Sequence, residues 1–332
     1  MASNPLAAAS ARSALLPTGL GDALPPEAAQ EAACVEALMA AFAARGYERV
    51  KPPLVEFEDS LLAGPGASMA AQSFRVMDPA SRKMMAVRAD MTPQIARIAT
   101  TRLAGAPRPL RLCYSGQVLR VKGAQLRPER EFAQAGVELF GSLEPEADAE
   151  VVLLALQALR AVGVRHASVD LCVPTMITLI CRAFGVEGED LVRLRAALDH
   201  KDVAAVTAVG GPASKLARRL IEASGPADRA IQALSSLELP EAAEKDRRRL
   251  SRVVELLRAA DPTLAVTVDL VEHRGFEYQT GLSFTLFARG VRGELGMGGR
   301  YRAGAVPGEE AGEPATGFTL FLDSLLRALP AP

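Results

Sequence analysis

The sequence is poor in residues that mark several common classes of protein. Tryptophan is absent, and the 332 residues include only three histidines and four cysteines. His166, His200 and His273 form no metal-ligand spacing, so we predict no metal site and no cofactor. The cysteines lack CxxC spacing and fall in apolar surroundings, which predicts buried, reduced thiols. These cysteines are Cys34, Cys113, Cys172 and Cys181.

Long apolar runs and an excess of one charge are also lacking. No stretch reaches the roughly 18 apolar residues of a transmembrane helix, and the N-terminus MASNPLAAASARSALL lacks the basic start and apolar core of a secretory signal. We therefore expect a cytoplasmic protein. The alternative is a transit peptide, because no acid precedes Asp22, although Arg12 is a single basic residue. The net charge of −1 argues against membrane or nucleic acid as the main partner.

The stretch from Arg111 to Gly141 is the most informative part of the chain. It predicts two strands joined by a basic loop, and strand alternation brings Gln134, Gly136 and Glu138 to one face. We expect bare backbone at Gly136 with room for a ligand between the amide and the carboxylate. The alternative is an antiparallel sheet with a solvated face. Cations are expected at the rim of this face, from Arg120 and from loop residues Lys122, Arg127 and Arg130.

Periodicity predicts the flanking elements. A helix follows Pro25 and Pro26 and ends at Gly46, another spans 145–161, and strands lie at 168–173 and 264–271. Thr92 before Pro93 predicts a helix cap. Residues 174–262 are rich in alanine, arginine and leucine, which indicates a helical insertion. Its charge run at 244–249 is typical of a solvated helix face, with nucleic-acid binding as the alternative.

Several motifs resemble those of histidyl-tRNA synthetases, which are class II aminoacyl-tRNA synthetases. Arg120, the basic loop and REFAQAGVELFG resemble the second class II motif, and YERVKPPLVEFEDSLLAG resembles the first, which builds the dimer interface in that family. RADMT at 88–92 resembles the histidine-contacting loop, and RGFEYQTG at 274–281 with GMGGRY at 296–301 resembles the histidine-specific segments. The likeness spans about residues 15–328.

This resemblance implies an α+β fold with a six- to seven-stranded, mostly antiparallel sheet flanked by helices. The synthetase-like core would comprise residues 1–173 and 263–332, with the helical insertion at 174–262 between them. The resemblance also implies a histidine-binding pocket formed by Asp90, Thr92, Arg120, Gln134, Glu138, Arg274, Tyr278 and Gln279.

Three of these pocket residues depart from the family or have a second interpretation. Asp90 stands where the synthetases have a glutamate, which shortens its reach, and Gln279 replaces the second of two tyrosines. Arg274 would bind the carboxylate of the ligand. The alternative for Arg274 is a structural ion pair with Glu277 or Asp269.

The C-terminal motif differs from that of a working synthetase. TGFTLFLDSLLRAL at 316–329 matches the third class II motif, but Phe321 replaces the glycine that leaves space for adenine, and Ser324 replaces the arginine that meets the nucleotide. The nucleotide half of the site is therefore predicted to be filled and uncharged. No residues are expected for an anticodon-binding domain.

This combination resembles the regulatory subunits of short-form ATP phosphoribosyltransferase, the first enzyme of histidine biosynthesis. The resemblance implies a non-catalytic protein that pairs with itself and assembles with a short catalytic subunit into a hetero-oligomer. L-Histidine would be its ligand and feedback inhibitor. The alternatives are an authentic histidyl-tRNA synthetase and a tRNA-binding or signalling paralogue.

Overall fold

The computed structural model describes residues 15–123, 127–272, 279–304 and 312–329, and its centre is a large mixed sheet. The strands are β1 (Glu48–Arg49), β2 (Val55–Phe57), β3 (Arg75–Met77), β4 (Met84–Val87), β5 (Leu110–Leu119), β6 (Glu131–Phe140), β7 (Ala167–Cys172), β8 (Gly225–Pro226), β9 (Ala265–Asp269), β10 (Gln279–Ala288), β11 (Gly296–Ala303) and β12 (Glu313–Phe321). The helices are α1 (Glu27–Ala43), α2 (Glu58–Leu61), α3 (Thr92–Arg97), α4 (Pro145–Ala161), α5 (Thr175–Ala183), α6 (Gly188–Asp199), α7 (Val203–Val209), α8 (Gly211–Ala223), α9 (Ala227–Ser235), α10 (Glu241–Ala260) and α11 (Leu322–Ala328).

The large sheet has nine strands in the order β1-β5-β6-β12-β11-β10-β7-β9-β8. The six strands from β5 to β7 pair antiparallel, whereas β1 is parallel to β5 and β9 is parallel to β7. The prediction of six to seven strands is therefore wrong, because the sheet has nine. The edge strands β1 and β8 have two residues each, which is too short for any alternation of side chains to be visible in the sequence.

The predicted hairpin and helices around the site are confirmed. Strands β5 and β6 pair over their whole length, from Leu110 opposite Phe140 to Leu119 opposite Glu131. Helix α4 covers 145–161 as expected, and α1 ends shortly before Gly46. The four cysteines are free and buried. A smaller sheet, in the order β2-β4-β3, stands apart from the large one.

Two hydrophobic clusters lie on the two faces of β5 and β6. The larger one joins the buried sides of α1 and α4 to alternate strand residues such as Val137 and Leu139. The smaller one contains Met91 and Ile95, at and near the start of α3, packed with Leu112 and Tyr114. Helix α3 therefore covers the face that carries Gln134 and Glu138, and the interpretation of that face as solvated is wrong.

The segment 174–262 consists mainly of helices α5 to α10, whose apolar sides join the larger hydrophobic cluster. Strand β8 within it pairs with β9 of the large sheet. Its assignment as a separate insertion stays a prediction. Among the helices in the described ranges, none combines the length and hydropathy that a bilayer crossing requires.

Candidate functional site

The site is built on a row of residues that crosses the large sheet. Glu138 on β6 lies opposite Gly317 on β12, Gly317 lies opposite Gly299 on β11, and Gly299 lies opposite Ser283 on β10. A Cβ atom at Gly317 would stand 2.0 Å from Glu138 Oε2. The two glycines therefore leave a shallow trough in the sheet, and the Glu138 carboxylate lies in it.

The Glu138 carboxylate is buried among hydroxyl groups. Its residue is 1% exposed, and the Tyr301 hydroxyl donates to Glu138 Oε2 over 3.0 Å. Burial raises the pKa of Glu138 to about 8, although hydrogen bonds from Tyr301, Thr92 and Tyr114 act in the opposite direction. The carboxyl group is thus poised to exchange a proton near neutral pH, which suits it to meet a cationic or hydrogen-bond-donating ligand.

A second acidic group is held next to the trough by Gln134. The Gln134 side-chain nitrogen donates to Asp90 Oδ2 over 2.9 Å, and its oxygen accepts from the Met91 backbone N–H over 3.0 Å. Asp90 Oδ1 accepts from the Thr92 backbone N–H over 2.9 Å. Both ends of the fully buried amide are therefore engaged, and Gln134 fixes the orientation of Asp90.

The roles predicted for Thr92 and Gly136 need correction. Helix α3 begins at Thr92 itself without a side-chain cap, and the Thr92 hydroxyl lies 3.3 Å from that of Tyr114. Gly136 offers no open backbone to a ligand, because a Cβ there would stand 2.6 Å from the Tyr114 hydroxyl. Tyr114, which also bonds Thr319 Oγ1 over 2.7 Å, fills the predicted space.

The opposite end of the site is closed by aromatic rings and arginines. Phe321 is 2% exposed and contacts Phe132 edge to face, with ring centroids 6.1 Å apart. The Arg127 guanidinium carbon lies 3.7 Å from the centroid of Phe321, and that of Arg120 lies 5.0 Å from the centroid of Phe132. The four side chains pack against one another in one group, which we call the Phe321 stack.

Arg127 is a buried member of the Phe321 stack rather than a rim cation. Its side chain is 7% exposed, and its Nη2 pairs with Glu294 Oε1 at 2.9 Å. Its Nε and Nη1 have no hydrogen-bond partner in the described part of the chain. Of the other two cations predicted from the loop, Lys122 is exposed, and Arg130 stacks on Phe74 at 5.1 Å instead.

Arg120 lies between the two ends of the site. Its Nε donates to the Ala89 carbonyl over 3.1 Å, and its Nη2 is 4.0 Å from Asp90 Oδ2. Burial lowers the pKa of Arg120, and the Asp90 charge offsets part of this effect. An anionic group of a ligand could replace water at the remaining donors of this guanidinium.

A cavity of about 220 Å³ joins these groups. Asp90, Thr92, Arg120, Glu138 and Gln279 line it, whereas Gln134 lies behind Asp90. Arg274 and Tyr278 fall outside the described residues. The volume is below the roughly 300–1,000 Å³ of pockets for drug-sized ligands, so the cavity suits a molecule of amino-acid size.

Sequence reasoning missed three residues that shape the cavity. Tyr301 supplies the hydroxyl on Glu138, Tyr114 fills the space over Gly136, and Gly317 makes room for the carboxylate. The GMGGRY and TGF patterns contain two of these residues. Their common function follows only from the pairing of β6, β12 and β11, which the sequence does not display.

This sheet and cavity define the chain as a protein of the class II synthetase type. The family model described as histidyl-tRNA synthetase matches residues 19–325. A solved structure titled ATP phosphoribosyltransferase regulatory subunit/histidyl-tRNA synthetase, from Bacillus halodurans, superimposes with a TM-score of 0.82 at 25% identity, covering 96% of this chain and 83% of the other.

Similarity to curated proteins narrows this class. The ATP phosphoribosyltransferase regulatory subunit of Rhodospirillum centenum is 60% identical over 96% of this chain and 81% of its own length. The protein of the same name from Paramagnetospirillum magneticum is 60% identical over 97% of this chain and 84% of its own length. The chain belongs to the ATP phosphoribosyltransferase regulatory subunit family.

Proposed function

We propose that this chain is a regulatory, non-catalytic subunit of an ATP phosphoribosyltransferase, the enzyme of the first step of histidine biosynthesis. The observation that carries the proposal is the asymmetry of the cavity. Its charged end is intact around Glu138 and Asp90, while Phe321 fills the end where a synthetase leaves space for adenine. The regulatory-subunit names of relatives with 60% identity support the same conclusion.

L-Histidine is the proposed ligand of the cavity. Glu138 would accept a hydrogen bond from the imidazole, Asp90 and Thr92 would surround the amino group, and Arg120 would meet the carboxylate. Arg274, Tyr278 and Gln279 complete the proposed set. Pairing of charged groups in a site shielded from water gives the strongest contacts that a ligand of this size can make.

The absence of aminoacylation chemistry is part of the proposal. Phe321 is packed between Arg127 and Phe132, and the side chain of Ser324 is buried and carries no charge. Adenine would have to displace a stacked aromatic ring. We therefore expect pyrophosphate exchange with ATP and histidine to stay at background, and exchange at a rate typical of synthetases would contradict the proposal.

We further propose that the subunit pairs with itself. The β2-β4-β3 sheet lies in and beside the segment that resembles the first class II motif, and it exposes large apolar side chains. These are Phe57 (45% exposed), Val76 (46%), Met77 (60%) and Met84 (43%). Such a group of exposed apolar side chains is typical of a protein interface. Sedimentation of the isolated chain as a monomer at micromolar concentration would contradict self-pairing.

The central experiment combines the chain with a short-form catalytic ATP phosphoribosyltransferase. We expect the catalytic turnover to rise and to become sensitive to histidine. Glu138→Ala in this chain should leave the activation intact and weaken the inhibition, because it removes a proposed histidine contact and changes a residue that is only 1% exposed. Unchanged turnover in a demonstrated complex would contradict the regulatory assignment.

A further inference from the structure

A basic groove lies behind the wall of the cavity. It has a volume of about 850 Å³ and runs between α5, α10 and the strands β10 and β11. Gln279 and Tyr301 line both spaces, so they form the wall between the groove and the cavity. Among the proposed histidine contacts that the structure describes, only Gln279 belongs to the groove.

The charge of the groove is strongly unbalanced among the described residues. Its basic side chains are Arg182, Lys245, Arg248, Arg249, Arg300 and Arg302, and Asp246 is its one carboxylate. Asp246 accepts from Thr175 Oγ1 over 2.6 Å, and burial raises its pKa. One carboxylate thus faces six basic groups in the groove. Arg182, Lys245 and Arg248 form no ion pair with another described residue.

The floor of the groove carries an excess of positive charge on Arg300, which is buried, and on Arg249, whose side chain is 24% exposed. Arg300 Nη2 and Arg249 Nη1 both pair with Asp148, each at 2.8 Å, and Asp148 is 1% exposed. Two guanidinium groups thus share one carboxylate. Burial lowers the pKa of Arg300, and the nearby charges of Arg249 and Arg302 act in the same direction. An uncompensated buried charge is costly, and an anion in the groove would reduce that cost.

We propose that this groove is a binding site for a small multivalent anion, with phosphate or polyphosphate groups as the recognised chemistry. Guanidinium and ammonium groups from three elements converge on one concave space, which matches several oxygens of one ligand better than a single carboxylate. The volume falls within the roughly 300–1,000 Å³ of small-molecule pockets. The overall charge of −1 argues against a long polyanion as the occupant.

The test measures binding of sodium tripolyphosphate, pyrophosphate and orthophosphate by calorimetry. The groove variant is Lys245→Glu/Arg248→Glu, which reverses two exposed charges on α10. The matched control is Lys215→Glu/Arg219→Glu, which reverses two exposed charges on α8, outside the groove. All four side chains are exposed, so both variants are expected to fold, and thermal unfolding verifies this.

We expect affinity to increase from orthophosphate to tripolyphosphate, to fall at least tenfold in the groove variant and to change little in the control. The affinity should also fall between low salt and about 150 mM salt. Equal losses in both variants, or no binding of tripolyphosphate at low salt, would overturn the proposal. Preference for an acidic peptide, or for RNA with an affinity that grows with oligonucleotide length, would also overturn it by assigning the surface to a macromolecule.

Discussion

The two ends of the cavity are buried to a similar extent, but one buries acidic groups and the other buries an aromatic ring. At one end Glu138 and Asp90 are charged or titratable groups that need Tyr301, Gln134 and Thr92 to satisfy them. At the other end Phe321 needs only contact surface, which the Phe321 stack provides. A buried carboxylate without a ligand costs free energy, whereas a buried phenyl ring gains it. The charged end is therefore the one that we propose binds a ligand.

The largest effect is expected from breaking the closed end. Phe321→Ala should lower the free energy of unfolding by about 3–5 kcal/mol, because it removes a fully buried ring and leaves a cavity. Histidine affinity should change little. Chemical denaturation of the variant measures the loss, and Phe184→Ala, at a half-exposed phenylalanine, is the control with a loss below about 0.5 kcal/mol. A loss as small as that of the control would show that Phe321 does not close the cavity.

A smaller loss of stability is expected at the charged end. Gln134→Leu keeps the volume but leaves the Met91 N–H and Asp90 Oδ2 without their partner, which should cost about 1–3 kcal/mol. Gln117→Leu on the adjacent strand is the control, because that amide is exposed and bonds only Glu31 among the described residues. Equal denaturation midpoints for the two variants would contradict the bracing role of Gln134.

Histidine affinity should depend on the charged end more than on the closed end, which is the reverse of the order for stability. Glu138→Ala is expected to weaken histidine binding at least tenfold, or about 1.4 kcal/mol, because it removes the carboxylate that meets the imidazole. Calorimetry measures the affinity. Glu131→Ala on the same strand is the control, since Glu131 is exposed and outside the cavity. Histidine binding of wild-type strength in Glu138→Ala would move the ligand elsewhere.

The last prediction concerns the pH dependence of stability. The pKa of Glu138 is about 8 in the folded chain and near 4.5 when exposed, so between these values the folded state binds more protons than the unfolded state. The free energy of unfolding should therefore fall as pH rises from about 5 to 8, by up to about 1.4 kcal/mol per unit. Glu138→Gln should lose this component. The difference between wild type and Glu138→Gln, measured by denaturation at several pH values, would contradict the expectation if it rose with pH.

At the charged end, the sequence predicts which residues share a face but not which side chains fill the space above them. Strand alternation correctly brings Gln134 and Glu138 to one face, because the β5–β6 pairing is local and regular. It fails at Gly136, which looked open and is covered by Tyr114, because Tyr114 comes from the neighbouring strand. Alternation identifies the face of a strand but not which neighbour fills the space above it.

The closed end was predicted through Phe321, but the role of Arg127 was not. A basic loop predicts solvated cations, and Arg127 is instead buried against Phe321 and paired with Glu294. Both contacts join residues more than 160 positions apart in the chain. The two-residue strand β8 was missed for a related reason, since only its pairing partner reveals it.

The Tyr301–Glu138 hydrogen bond joins two strands that are not neighbours, because β12 runs between them. The bond is a cross-link over the two glycines, and one of its ends is a carboxyl group whose pKa is about 8. A ligand that binds Glu138 Oε2 would compete with this cross-link and would free the Tyr301 hydroxyl from it. Tyr301 also lines the basic groove, so the one side chain that this bond holds in place belongs to both spaces.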